Sequence, residues 1–64
     1  MTTFYVLYRA SDGMYIRHGR RVSLTACLNF AKHFSNRWGA EQHLKRLAGD
    51  VLGLSVHPII VEDL

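Results

Sequence analysis

The sequence predicts an α+β domain in which a small, mostly antiparallel β-sheet of three to four strands lies against one main helix, in the chain order β-β-(β)-α-α-β. Three observations carry this. Aromatic and β-branched residues crowd Thr3 to Arg9 and again Leu54 to Val61, as strands require. The cluster Ala10-Ser11-Asp12-Gly13 follows the first of these runs and suits a tight hairpin. Between the two runs the apolar spacing changes to steps of three and four, the period of a helix. At 64 residues the whole chain, 1–64, is read as a single domain with room for one core layer.

Each element follows in order. Thr3 to Arg9 is the first strand, and Met14 to Arg17 returns beside it. His18-Gly19 breaks the chain, and Arg21 to Thr25 supplies a short third strand. Leu24, Cys27, Leu28, Ala31 and Phe34 then recur at helical spacing, which fits a short helix or an irregular turn. Ser35 is the expected N-cap, because its hydroxyl can accept from a free amide of the next turn. The main helix is placed at about Asn36 to Ala48, burying Ala40, Leu44, Leu47, Ala48 and Val51 on one face. Gly49 or Gly53 would end it in a left-handed conformation. Leu54 to Val61 closes the sheet, and Pro58, which has no amide to donate, marks it as an edge or broken strand. Both terminal strands carry apolar side chains on both faces, more than one helix can cover. Either the Leu24 to Phe34 segment or a second copy of the protein must shield the other face.

The order Asp12-Gly13, Tyr15-Ile16, then Leu28, Ala31, Phe34, Ala40 and Leu44 resembles a spacing found in small uncharacterised proteins of phages and Gram-positive bacteria. In these a DG-x-Y-hydrophobic hairpin precedes L-x2-A-x2-F and then A-x3-L. The resemblance covers most of the chain and rests on core positions. It implies a phage or mobile-element setting, in which a host or defence-system protein is a natural target, and it implies no activity and no binding residues. The chain departs from the commoner pattern at Arg37, Trp38 and Gly39, where acidic helix-start residues are usual.

Composition narrows the function classes. Hydrophobic residues are 48% and charged residues 20%, the balance of a folded globular domain and far from that of a disordered one. A core this small contributes only about 3 to 5 kcal/mol, which keeps a homodimer in play. The lone Cys27 excludes an internal disulfide, fits a reducing cytoplasm and reads as a small core hydrophobe. No apolar run approaches the roughly 20 residues of a membrane span, and Met1 to Phe4 is not the charged start of a secretory signal. A cytoplasmic address without membrane partners is expected.

Catalytic and metal chemistry find no support in the spacing. His18, His33, His43 and His57 form no i,i+4 helical pair and have no cysteine pair beside them. Asp12, Glu41, Asp50, Glu62 and Asp63 are scattered, the last two in a tail, and the five glycines make no phosphate cradle. No catalytic residue, metal site or cofactor is expected.

The basic residues say more. Net charge is +3 and the pI is 9.5, which favours an anionic partner. Arg20 and Arg21 occupy a loop. On the main helix, with Leu44 as the buried centre, Trp38 lies about 120° away, Lys45 about 100° and Gln42 about 160°. Trp38 is therefore expected at the rim of the core, flanked by Arg37, Lys45 and Arg46. Such an indole could stack a base, anchor a protein contact or fold back over the sheet edge. The leading expectation is a non-enzymatic protein-interaction module that binds a protein partner or itself. The alternative is a small basic nucleic-acid-binding accessory protein. The candidate residues are Arg20, Arg21, Arg37, Trp38, Gln42, Lys45 and Arg46.

Overall fold

In the computed structural model, which describes residues 1–62, the order is β1 (Thr2–Arg9), β2 (Met14–Ile16), β3 (Leu24–Thr25), a 3-10 turn (Leu28–Phe30), α1 (Arg37–Leu47) and β4 (Leu54–Val61). The strands form one antiparallel sheet in the order β3-β2-β1-β4. This is the α+β architecture that the aromatic and β-branched runs and the change of period predict. Asp63, assigned to a tail from the sequence, lies outside the described residues.

β1 is central because its alternating residues serve both faces. Leu7 is fully buried and joins Ile16, Ala40 and Leu47 in a core cluster to which Tyr5, Leu24, Phe34, Leu44, Val51, Leu54 and Val56 contribute. Burying Leu7 alone contributes about 2 kcal/mol. The hairpin closes where the Asp-Gly pair predicts it. Gly13 takes a left-handed φ of 72° that other residues rarely adopt. The Asp12 carboxylate accepts from the Met14 amide and from the Arg9 guanidinium, and the Arg9 bond holds its pKa below the ordinary range.

β1 pairs with β4 from Thr2↔Val61 to Arg9↔Leu54. Tyr5 exchanges both main-chain hydrogen bonds with Phe34, at 2.9 Å each, so its amide and carbonyl point away from β4. Pro58 is opposite Tyr5, and its nitrogen must therefore face outward. The proline costs the ladder nothing, and it removes a donor from the exposed edge.

The Leu24 to Phe34 segment is not a second helix. After β3 it makes one 3-10 turn and then runs extended, through bridges Arg17↔Ala31 and Tyr5↔Phe34, into the fork where β1 and β2 part. The Lys32 amide donates to the Ile16 carbonyl at 2.9 Å, and the His18 amide to the Phe30 carbonyl at 3.0 Å. Directly opposed residues share a face, so Ala31 and His33 turn to the side away from α1. There His33 stacks on Phe4 with ring centroids 4.1 Å apart, and Tyr8 meets Tyr15 and His57. Val6 has no exposed surface, so the segment and these rings shield part of the second face. Cys27, expected in the core, is exposed because it precedes the turn instead of facing inward from a helix.

α1 also differs at both ends. Its N-cap is Asn36, one residue beyond Ser35, and its side-chain oxygen accepts from the Gly39 amide at 2.7 Å. A Cβ at Gly39 would stand 3.3 Å from that oxygen, so glycine lets the cap close. The helix stops without a left-handed glycine. Ala48 is right-handed, and the amides of Asp50 and Val51 both donate to the Leu47 carbonyl. Gly53 is left-handed, at φ 80°, and serves the entry to β4.

Candidate functional site

The predicted site residues divide into two groups. Buried Ala40 and Leu47 put the inward direction of α1 between them, and Trp38 is about 170° from it. Trp38 is accordingly not at the rim. It stands on the solvent face, 70% exposed, and among the described residues it meets neither a ring nor a cation. Folding back over the sheet edge is excluded by the same exposure. Gln42 and Lys45 share this outward side. Arg37 is tied to Glu41 by an Nε to Oε1 contact of 3.1 Å, so its charge is partly spent within the helix.

Arg20, Arg21 and Arg46 converge. They line one cleft of about 300 Å3 with Arg17, Lys32 and His43. The construction follows from the fold: Arg17 continues β2, Arg20 and Arg21 lie in the loop after it, Lys32 comes from the segment in the fork, and His43 and Arg46 come from one flank of α1. Five lining residues carry a fixed positive charge and one, Asp50, a carboxylate. Arg17 is opposed to Ala31, so its side chain turns to the side away from α1 and borders the cleft, leaving Arg20, Arg21, Lys32 and Arg46 as the cations gathered in it. Among the described residues the ion pairs are Arg9 with Asp12 and Arg37 with Glu41, so none of the five is neutralised by a partner. Like charges gathered on a concave surface focus a positive potential into it.

His43 registers that potential. Its ring lies 5.4 Å from that of Phe34, over which Lys32 sits with Nζ 5.7 Å from the centroid. Burial first, then the charges of Lys32 and Arg46, push its imidazole below the ordinary pKa. A larger opening lies elsewhere, about 710 Å3 between the hairpin and residues 50–52. Its Arg9 and Asp12 bind each other, and the cations do not collect there.

A second cleft of about 430 Å3 adjoins the first through Arg17, which lines both, and contains His18, Asn29, Phe30, Ala31 and His33. The Arg17 guanidinium carbon stands 5.4 Å from the centroid of the Phe30 ring. Sequence reasoning missed Arg17, Lys32 and Phe30. For the two cations no local signal exists. Phe30 did carry one, since it is the large apolar residue out of step with Leu24, Leu28, Ala31 and Phe34.

No family model, curated protein or solved structure matches the chain. No helix among the described residues is long and apolar enough to cross a membrane.

Proposed function

We propose that the protein is a non-enzymatic binding module for a nucleic acid or similarly extended polyanion, received in the cleft of Arg17, Arg20, Arg21, Lys32 and Arg46. The observation that carries this reading is the convergence of four unpaired cations, Arg20, Arg21, Lys32 and Arg46, from three segments of the chain on one concave surface, with Arg17 at its border. Keeping them together raises the self-energy of the fold, and a phosphate backbone relieves that repulsion while releasing its own counterions. The test is a titration of a labelled oligonucleotide across salt concentration. If these four and Arg17 all meet phosphates of a single strand, the slope of log K against log salt is about −3.5. A slope near zero, or no binding at low salt, rejects the reading.

A second reading, a protein-interaction module that binds a partner or a second copy, is supported by a different surface. Trp38 is 70% exposed, and Ile60 on β4 is 61% exposed, while tryptophan and arginine dominate protein hot spots. Pro58 argues against strand addition along the β4 edge, which leaves side-chain contact through these residues as the mode. Sedimentation velocity over a concentration series tests self-association, and a purely monomeric profile removes that form of it.

A further inference from the structure

We infer that Phe30, with Arg17 laid against its ring, is a stacking platform for one unpaired nucleobase, joined to the basic cleft so that a strand's phosphates and one of its bases are held at once. The inference rests on the polyanion reading of that cleft and adds the chemical class of ligand, single-stranded nucleic acid.

The fold leaves Phe30 outside the core by construction. It ends the 3-10 turn Leu28–Phe30, its amide donates to the Cys27 carbonyl at 3.1 Å and its carbonyl accepts from His18 at 3.0 Å. The main chain is thus pinned on both sides of the ring. The next residue, Ala31, is buried, whereas the Phe30 side chain remains 57% exposed. A ring on a pinned main chain and left wet is poor use of apolar area in a 64-residue chain, and it is what a base-stacking surface requires. Aromatic rings and guanidinium planes both stack bases, and the Arg17–Phe30 pair supplies one of each.

The surroundings fit a base edge. The Asn29 amide and the His18 ring line the same cleft and are engaged in no side-chain hydrogen bond among the described residues, leaving donors and acceptors free. His33 has one ring nitrogen within 3.2 Å of the Leu28 carbonyl and is stacked on Phe4, so it acts as a fixed wall. Arg17 lines both clefts, so it is the link between the stacking surface and the cations, and a strand passes around it from one to the other. A duplex keeps its bases stacked on one another, so only an unpaired base can enter. Trp38 cannot replace Phe30, since it precedes Arg46 by eight residues, about 12 Å along the helix axis, and points away from the cleft.

The experiment is fluorescence-anisotropy titration at low salt of a single-stranded oligonucleotide and of an abasic strand of equal length. The proteins are the full chain and its Phe30→Ala, Phe30→Leu, Phe30→Tyr and Trp38→Ala variants, each checked for folding by thermal melting. The native chain is expected to prefer the base-bearing strand by about 5- to 150-fold, the range for one stacked base. Phe30→Ala and Phe30→Leu should erase that preference while leaving abasic affinity within twofold, and Phe30→Tyr and Trp38→Ala should retain it. Equal affinity of the native chain for the two strands, with steep salt dependence for both, overturns the platform and leaves the basic cleft standing. A folded Phe30→Leu variant that keeps the preference overturns it as well. No binding of either strand by the native chain overturns the platform together with the reading beneath it.

Discussion

Two flanks of α1 read alike in sequence, since one carries His43 and Arg46 and the other Trp38, Gln42 and Lys45, each a run of polar and basic side chains. The first flank faces the loop bearing Arg20 and Arg21 and the extended segment bearing Lys32, so its single arginine becomes one of four gathered cations. The second faces solvent at Trp38 and Lys45, with Gln42 half-buried. Among the described residues its tryptophan contacts no other ring, and the neighbouring Arg37 is held by Glu41. A helix thus supplies direction, and the density of charge is decided by what the rest of the chain sets opposite it.

The largest expected effect tests that contrast directly. Replacing Arg20 and Arg21 together by glutamate should weaken oligonucleotide binding by about 100-fold and reduce the salt slope by about 1.4, two single-strand phosphate contacts. The matched change of Arg37 and Lys45 to glutamate should cost less than about threefold. Equal losses from the two pairs would erase the distinction between the flanks.

Next in size is a pH effect confined to the first flank. Because burial, Lys32 and Arg46 depress the His43 pKa, a bound anion that screens those charges raises it, and binding takes up a proton. Affinity should climb by up to about tenfold per unit as pH falls from about 6.5 through the free protein's depressed value. His43→Asn should flatten the profile, and Trp38→Ala should not. In the absence of ligand the sign reverses for stability. A histidine whose folded pKa is lowered binds fewer protons than the unfolded chain, so stability is lost as pH drops below about 6.5. Melting curves between neutral and mildly acidic pH check this.

Smaller effects separate the two ends of the helix. Asn36→Ala should destabilise the protein by about 1 kcal/mol through loss of the cap, with Ser35→Ala near neutral, as read by denaturant titration. Oligonucleotide affinity should not change, because His43 and Arg46 lie in the C-terminal half. Least of all, Arg46→Gln should raise stability by about 0.5 kcal/mol at low salt by relieving repulsion, a gain that fades as salt screens the cleft. Lys45→Gln should show none.

Much of the architecture was legible because it follows from local rules. Aromatic and β-branched residues identify Thr3 to Arg9, one residue short of the strand's start, the Asp-Gly turn identifies the hairpin, and Pro58 points to an edge or broken strand, of which the edge is what forms. Residues 24–34 were not, for Leu24, Leu28, Ala31 and Phe34 satisfy a helical template equally well. What decides against the helix is main-chain bonding to Tyr5 and Ile16, partners 29 and 16 positions away (34 less 5, 32 less 16), which no local spacing encodes. Ser35 and Asn36 are both competent caps, and the choice depends on which oxygen reaches Gly39. Trp38 moved from rim to solvent because Ala40 and Leu47, rather than Leu44, are the deepest helix positions. Of the site, Arg20, Arg21 and Arg46 were visible as cations, but their meeting with Arg17 and Lys32 is a product of the forked sheet.

The β1 to β4 ladder joins the earliest strand of the chain to the latest, as in the Ser55 hydroxyl that reaches the Tyr8 carbonyl 47 residues away. During synthesis the central strand must therefore wait, with Leu7 uncovered, until Leu54–Val61 has left the ribosome. Contacts so distant make folding slow for a domain of this length. Loss of the final strand would accordingly abolish the whole domain instead of trimming it.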